Sequence, residues 1–143
     1  MKTRSIKEKE IINEWYIVDL AGVRLGRAAQ AISKVLIGKS KVYKTDNLPS
    51  GDNVIAINSD KVDFFPERAS RKKYYSHSGY PGGFKERTLG DLMEQDSTEV
   101  IRKAVWGMLP KTKIGRKLLK NLRIYKEGEY IEKAQNPKTI EIK

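Results

Sequence analysis

Apolar runs and one-sided apolar patterns alternate along the first half of the chain. Residues 15–18 (WYIV) and 53–57 (NVIAI) are nearly continuous apolar runs, which are typical of parallel strands covered on both faces. Between them, apolar residues recur at helical spacing until Gly38, namely Leu25, Ala28, Ala29, Ile32 and Leu36. This half therefore predicts a strand, a turn at residues 19–22, a helix and a second strand. Residues 62–65 predict a further short strand.

The second half of the chain predicts helices followed by one strand. Residues 88–93 fit a short helix, and Asp96-Ser97-Thr98-Glu99 resembles a capping box before a helix that Pro110 ends. The last predicted helix has two opposite faces, one with Ile114, Leu118, Leu119 and Leu122, the other with Lys113, Arg116, Lys117, Lys120 and Arg123. One face is expected to pack and the other to carry cations, and residues 122–125 then predict a final strand.

Polar segments flank this pattern at both ends. Residues 1–14 contain little core material and predict an N-terminal extension, and residues 127–143 predict a polar, irregular C-terminal tail. Residues 15–126 between them predict a single α/β domain, which is long enough to bury a core. The chain has no cysteine, so neither a disulfide framework nor a thiolate metal site is expected.

The charge of the chain predicts an anionic partner. Lysine and arginine number 29 against 18 aspartate and glutamate, giving a formal charge of +11, and a surplus of this size is most often matched by nucleic acid. From Val100 to Lys126 there is no acid and there are nine cations: Arg102, Lys103, Lys111, Lys113, Arg116, Lys117, Lys120, Arg123 and Lys126. We therefore expect a polyanion to bind this block.

Residues 71–84 (RKKYYSHSGYPGGF) combine cations, flat rings and glycines in one stretch. The stretch contains three tyrosines and the chain's single histidine, and its apolar residues follow neither helical nor strand spacing. Such residues bind phosphates and stack on bases, which predicts an exposed RNA-binding loop. The alternative is an ordinary glycine-rich surface loop whose cations are solvated.

The sequence offers little catalytic chemistry. A single histidine and no cysteine leave no recognisable metal site, and no cofactor loop is present, since Gly22 and Gly26 are spaced GxxxG rather than GxGxxG. Asp19 follows a predicted strand without an evident catalytic partner, and we interpret it as a cap of the following turn. The first ten residues are not expected to act as a signal peptide, and no apolar run approaches the length of a membrane span. A soluble, intracellular, non-catalytic protein without cofactor or metal is therefore expected.

Four segments together resemble the universal ribosomal large-subunit protein thirteen family in its bacterial form. They are WYIVDLAGVRLGRAA, GDNVIAINSDKV, KKYYSHSGYPGG and AVWGMLPKTKIGRKLLKNLRIY, and they occur in the family's order. The resemblance implies a three-layer α/β/α fold with a mostly parallel four-stranded sheet, an N-terminal extension and basic loops. It also implies binding to large-subunit ribosomal RNA, a role in early assembly of that subunit, and neighbouring ribosomal proteins as partners.

By position, the resemblance assigns roles to two motifs. Residues 72–83 correspond to the family's RNA-gripping loop, and the family's turn between two helices corresponds to Met108, Leu109, Pro110, Gly115 and Arg116. Residues 46–52 and the tail depart from the usual family sequence, so no contact is transferred to them. The full set of candidate RNA-binding residues is Arg27, Lys39, Lys41, Lys44, Arg71, Lys72, Lys73, Tyr74, Tyr75, His77, Ser78, Tyr80, Gly82, Gly83, Lys85, Arg87, Lys111, Lys113, Arg116, Lys117, Lys120 and Arg123.

The predicted function is that of a structural constituent of the large ribosomal subunit in the cytoplasm, with an organellar ribosome left open. Neither a small-molecule substrate, nor a membrane, nor a homo-oligomer is expected. One alternative is a free RNA-binding regulator of messenger RNA translation. The other is a nucleotide- or RNA-processing enzyme that uses the turn from Asp19 to Gly22.

Overall fold

The structure is a computed structural model that describes residues 6–142. Its strands are β1 (Trp15–Asp19), β2 (Asn53–Ile57), β3 (Lys73–His77), β4 (Phe84–Thr88), β5 (Leu122–Ile124) and β6 (Lys138–Ile140). Its helices are α1 (Leu25–Ile37), α2 (Pro66–Arg71), α3 (Leu89–Met108) and α4 (Lys113–Lys120), with 3-10 turns at Glu8–Glu10, Ser59–Lys61 and Glu132–Gln135. The first five residues of the predicted N-terminal extension lie outside the described residues. No described helix is long and apolar enough to cross a membrane.

Four parallel strands form the central sheet in the order β5-β2-β1-β6. The expected α/β fold with a mostly parallel four-stranded sheet is confirmed. The prediction of a strand at residues 62–65 is wrong, because this segment forms only an isolated bridge between Asp63 and Arg24. The tail after residue 126 is also not irregular throughout, since β6 pairs with β1 and completes the sheet.

One face of the sheet and the helices share the hydrophobic core. Val18 lies opposite Ala56 in the β1–β2 ladder, so both side chains point to the same face of the sheet. They belong to one buried cluster with Ile32 of α1 and Val105 of α3. The spacing of buried residues in α1 matches the predicted helical face, and Gly38, with φ of 73°, ends the helix in the left-handed conformation.

The C-terminal segment covers the opposite face of the sheet. Ile55 is fully buried, and its ladder partner Arg123 approaches Glu132, with 3.9 Å between Nε and Oε1. The connection from β5 to β6 runs across the sheet against the direction of the earlier crossovers. Because such crossovers are right-handed, the reversal places this connection on the second face. We infer that this segment, which is mostly polar in sequence, buries Ile55 on the second face.

The two predicted helices are both present, and α3 comprises them on either side of a break at Asp96. Asp96 has φ of −155° and ψ of 94°, so the helical backbone of α3 breaks at this residue. Its carboxylate accepts hydrogen bonds from the backbone N–H and the hydroxyl of Thr98, at 3.1 and 2.7 Å. Hydrogen bonds from Thr98 lower the pKa of Asp96. The predicted cap at Asp96 is therefore present, inside a helix that begins with a second capping box between Thr88 and Asp91.

The prediction of an irregular loop at residues 71–84 is wrong. Arg71 ends α2, and the rest of the stretch enters an antiparallel hairpin of β3 and β4. Nearly all residues of both strands are exposed or half-buried. Because neither face of this ribbon is fully covered, its sequence needs no alternation of apolar and polar residues.

Candidate nucleic-acid interface

The tip of the hairpin is shaped by its glycines. Gly83 donates its N–H to the carbonyl of Tyr80 at 2.9 Å, and Gly82 has φ of 72°. This is a type II turn with Pro81 and Gly82 at its central positions, of which the second requires a positive φ. A Cβ on Gly83 would overlap the hydroxyl oxygen of Ser78. Two of the predicted RNA-binding residues, Gly82 and Gly83, therefore have a structural role in this turn, and Ser78 packs against Gly83.

Both faces of the hairpin carry aromatic and cationic side chains. Tyr75 and Phe84 stack on one face with ring centroids 5.6 Å apart, and both rings are more than half exposed. Lys85 and Arg87 share the other face, because their ladder partners are Ser76 and Tyr74. Tyr80 at the tip is 76 % exposed. Lys73 lies on the face of the stacked rings, and Tyr74 lies on the face of Lys85 and Arg87, so each face offers both kinds of group that bind single-stranded RNA.

Several side chains of the hairpin are already engaged within the protein. Lys73 forms an ion pair with Glu86 at 2.5 Å, and this contact raises the pKa of Lys73. Arg87 donates to the side-chain oxygen of Gln95 at 2.6 Å, and His77 accepts the N–H of Gly79 through Nδ1 at 2.8 Å. These bonds lie in exposed parts of the chain, so they fix side-chain orientation more than they add stability.

The turn between α3 and α4 depends on Gly115. A Cβ at this position would overlap the carbonyl oxygen of Pro110. Thr112 caps α4 by accepting the N–H of Gly115 at 3.4 Å, and Lys111 lies over the ring of Trp106 with Nζ 4.2 Å from the centroid. The motif that the resemblance singles out therefore holds α4 close to the end of α3.

Helix α4 presents its cations outward, as the sequence predicts. Leu118 is buried, whereas the basic residues of the helix are exposed: Lys113, Arg116, Lys117 and Lys120. The helix has no acidic residue in its first turn, and Lys117 and Lys120 lie in its last turn. The helix dipole favours cations at that end and disfavours Lys113 at the start of the helix.

Three adjoining clefts run from the start of α1 past α3 and α4 to β5, and many of the chain's basic residues line them. The first, of about 600 Å³, lies between the start of α1, α2 and α3, and the second, of about 420 Å³, lies between α3 and α4. Lys103 lines both, and Lys120 lines both the second and a third cleft that reaches Arg123. We call their nine cations the basic surface: Arg24, Arg27, Arg68, Lys72, Arg102, Lys103, Arg116, Lys120 and Arg123.

The basic surface contains few acids among its described lining residues. These are Asp63 in the first cleft and Glu99 in the second. Apolar side chains form part of the floor, with Trp106 and Leu119 in the second cleft. A positively charged groove with aromatic and apolar patches suits a nucleic-acid backbone whose bases can reach the protein.

Only part of the basic surface appears among the sequence candidates. Arg27, Lys72, Arg116, Lys120 and Arg123 are candidates that the fold brings together. Arg24 and Arg68 were not candidates, because nothing in their local sequence separates them from ordinary surface arginines. Arg102 and Lys103 belong to the acid-free block, and the helical spacing of α3 could have placed them on its outer face.

Other predicted cations lie away from this surface. Lys39, Lys41 and Lys44 follow the far end of α1, about 20 Å from its start at 1.5 Å per residue. The Lys41 ammonium is mostly buried, pairs with Asp52 at 2.5 Å and donates to the Ile12 carbonyl at 2.8 Å. Lys44 pairs with Asp46 at 2.7 Å, and Arg71 approaches Glu67 at 4.0 Å. Lys41 thus ties the N-terminal segment to the loop before β2.

The candidate catalytic turn is a structural turn. The Asp19 carboxylate accepts the N–H of Ala21 at 3.0 Å and the side-chain amide of Asn58 at 2.8 Å. These hydrogen bonds, the Ala21 bond first, lower the pKa of Asp19, so it is a poor proton acceptor near neutral pH. Within residues 6–142, no three His, Asp or Glu side chains are placed to hold a metal.

Comparison with known proteins gives a match along nearly the whole chain. The model of a family described as Ribosomal protein L13 matches residues 13–130. A protein named large ribosomal subunit protein uL13 from Aquifex aeolicus is 46% identical over 143 residues, covering 100% of this chain and 99% of its own. Relatives of the same name from Citrifermentans bemidjiense and Thermotoga petrophila are 45% and 44% identical, covering 99% of this chain and 100% and 95% of their own.

Proposed function

Because the chain belongs to the ribosomal protein L13 family, we propose that it is a structural, non-catalytic constituent of the large ribosomal subunit that binds its ribosomal RNA. The resemblance identified from the four sequence segments is confirmed by the family match. The prediction that the chain is not an enzyme agrees with the names of its relatives, which are those of ribosomal proteins. The bacterial relatives support cytoplasmic ribosomes as its location.

The observation that carries the proposal is the continuity of the basic surface. Nine cations from the start of α1 to β5 line adjoining clefts, and two acids accompany them among the described lining residues. Like charges at this density repel one another in the free protein, and RNA phosphates relieve that repulsion. Arginines such as Arg116 add bidentate phosphate binding, whereas Lys120 contributes a point charge.

The fold also supports a role in joining RNA segments. The hairpin and the basic surface are attached to one core. Leu89 of α3 belongs to the buried cluster, and Tyr74 of β3 packs against it. Two RNA segments bound at these places are held at a fixed separation. A protein that does this before the RNA is fully folded would favour early assembly of the subunit, and its remaining surface is available to neighbouring ribosomal proteins.

Binding to ribosomal RNA tests the proposal directly. The purified protein should bind large-subunit ribosomal RNA more tightly than an unrelated RNA of equal length in moderate salt, as measured by filter binding. The double variant R116Q/K120Q should bind at least about tenfold more weakly, because two charge-assisted phosphate contacts are lost. The charge-matched control K61Q/K133Q, at exposed positions outside the basic surface, should bind normally. Equal affinity for both RNAs would overturn the proposal.

Sedimentation separates ribosomal residence from the messenger RNA alternative. In a lysate fractionated on a sucrose gradient, we expect most of the protein to sediment with the large subunit. A free pool larger than the ribosome-bound pool, together with binding to a specific messenger RNA, would favour the regulatory role instead.

A further inference from the structure

The first cleft of the basic surface has a composition that phosphate binding alone does not require. Its cations come from four separate elements: Arg24 and Arg27 at the start of α1, Arg68 of α2, Lys72 before β3 and Lys103 of α3. Phe65, which immediately precedes α2, also lines it and is 45% exposed. Exposure of a single phenylalanine is ordinary on a protein surface, so the contacts that the ring makes are the informative feature.

Phe65 organises the arginines of this cleft. The guanidinium carbon of Arg24 lies 4.5 Å from the centroid of the Phe65 ring, and that of Arg68 lies 5.1 Å from it. These are cation–π distances, so the ring holds two like charges near each other. The result is a group of three planar surfaces at the mouth of the cleft. Aromatic rings and guanidinium planes are the groups on which unpaired bases stack.

The cleft also contains two ammonium groups beside a second aromatic ring, together with apolar lining residues. The Nζ atoms of Lys72 and Lys103 each lie 5.2 Å from the centroid of the Tyr74 ring. The apolar lining residues include Leu25 and Leu89, which are buried, and Met108, which is 44% exposed. The cleft therefore has an apolar and planar side next to two mobile, strongly hydrated charges.

We propose that this cleft holds one unpaired nucleotide of the bound RNA, with its base stacked on the group of Phe65, Arg24 and Arg68. The phosphate of the nucleotide then lies between Lys72 and Lys103. The volume of about 600 Å³ is within the range of small-ligand sites. Five cations against the single acid Asp63 among the described lining residues favour an anion. This inference rests on the proposed RNA binding and specifies the kind of RNA element that enters the cleft.

Short oligonucleotides test the stacking. Pentaadenylate should bind the wild-type protein measurably by calorimetry, and an abasic ribose-phosphate pentamer of equal charge should bind about tenfold more weakly, because one stacked base is lost. The variant Phe65→Leu should bind pentaadenylate about tenfold more weakly than wild type, while Phe65→Tyr, which keeps the ring, should retain the affinity. Equal binding of the abasic chain, or an unaffected Phe65→Leu variant, would overturn the inference.

Two further measurements fix the site and the source of the nucleotide. Ultraviolet irradiation of the wild-type protein with large-subunit ribosomal RNA, followed by mass spectrometry, should yield a nucleotide adduct on the peptide that contains Phe65. This readout does not depend on the folding of any variant. Free adenosine monophosphate should bind far more weakly than pentaadenylate. If it bound as tightly, the cleft would be a free-nucleotide site and the inference would be wrong.

The outcomes distinguish this inference from the proposed function. Loss of the Phe65 adduct with intact, salt-sensitive binding of ribosomal RNA would leave the ribosomal role standing and remove only the nucleotide site. Absence of preferential ribosomal RNA binding would remove both.

Discussion

At the scale of single residues, some glycines are required because another part of the backbone packs directly against them and leaves no room for a side chain. Gly115 and Gly51 have φ values that other residues adopt, yet a Cβ on either would overlap a carbonyl oxygen, that of Pro110 or Leu36. Gly107, by contrast, has nothing within 4 Å of its Cβ position. In the sequence all three positions are simply glycine. Only the packed structure shows that a side chain does not fit at Gly115 and Gly51, whereas it fits at Gly107.

Replacing Gly115 with alanine should destabilise the protein by about 1–3 kcal/mol, the usual cost of overpacking. The start of α4 must move away from Pro110 to accommodate the methyl group. Urea unfolding followed by circular dichroism measures the change in the free energy of unfolding. The matched control is Gly107→Ala in α3, which should raise that free energy by about 0.5–1 kcal/mol because alanine is the better helix former. Similar behaviour of the two variants would contradict the close-approach argument.

Chemistry at single residues was only partly predictable. The tyrosines and glycines of residues 71–84 stood out because they are clustered along the chain. Arg24, Phe65 and Arg68 form a comparable group in space, but more than forty positions of chain separate the first from the last. No local pattern predicts a cluster of this kind, because it arises only when the fold brings the starts of α1 and α2 to one cleft.

At the scale of elements, the kink in α3 combines local capping with long-range contacts. Asp96 caps the second part of the helix, and the next residue, Ser97, is fully buried. Ser97 forms a 2.7 Å hydrogen bond with Ser59 and donates to Asp60 at 2.5 Å. The capping pattern was readable in the sequence. The contacts of Ser97 with Ser59 and Asp60 were not, because they join the break to the turn after β2.

Replacing Asp96 with alanine should cost about 1 kcal/mol at pH 7, since the N–H of Thr98 loses its acceptor. Asp96→Asn keeps an acceptor and should cost less at that pH. The two variants separate the hydrogen bond from the charge, and urea unfolding at a series of pH values measures both.

The pH dependence gives a second readout for Asp96. Its pKa is lowered in the folded protein from an ordinary value of 3.8. A lowered pKa means that the carboxylate contributes stability above 3.8, which is lost as the pH falls through the folded-state value. Both Asp96→Ala and Asp96→Asn should therefore lose less stability than wild type on acidification below about pH 4. An unchanged acid dependence in both variants would contradict this role.

The hairpin shows why element prediction fails for exposed ribbons. Its strands are held by ladder hydrogen bonds and by a turn with Pro81 and Gly82, while most of its side chains face solvent. Apolar periodicity reports burial on one face, so a ribbon exposed on both faces leaves no such signal. The turn residues were visible, but the pairing of the flanking segments was not.

At the scale of the whole molecule, the sheet is completed by the C-terminal segment, which the sequence predicted to be irregular. Strand β6 pairs with β1, and Lys138 at its start forms a 2.8 Å ion pair with Glu14. Tyr16 donates to the same carboxylate at 2.7 Å, and this bond raises the pKa of Tyr16 to about 12. The chain ends are thereby joined at one edge of the sheet.

Deleting residues 127–143 should lower the free energy of unfolding by at least about 3 kcal/mol. The deletion removes β6 and exposes Ile55, and burying one such side chain is worth about 1.5–3 kcal/mol before the lost ladder bonds are counted. Urea unfolding of both chains provides the comparison. Ile131→Ser serves as control, because Ile131 lies in the same segment but is 84% exposed and should be nearly neutral. A truncated chain as stable as the full one would show that the tail does not support the core.

The salt dependence of RNA affinity is a property of the whole molecule, because it adds up over all the phosphate contacts that the protein makes. Each phosphate contact contributes roughly 0.7–0.9 to the slope of log affinity against log salt concentration. The triple variant R102Q/R116Q/K120Q, from the middle of the basic surface, should therefore reduce the slope by about two to three. Filter binding between about 50 and 200 mM salt measures it. A slope equal to that of wild type would show that these side chains do not contact phosphate.

The sequence by itself determined the central strands, the amphipathic helices α1 and α4, the caps at Gly38 and Asp96, and the basic character of the protein. These depend on side-chain periodicity, backbone preference and charge, which act over a few residues or simply add along the chain. Only the tertiary structure decided that the C-terminal tail completes the sheet, that residues 71–84 form a hairpin, and that Arg24, Phe65, Arg68 and Lys103 share one cleft. The tail and the cleft depend on contacts between distant segments, and the hairpin pairs two exposed strands that leave no apolar periodicity in the sequence.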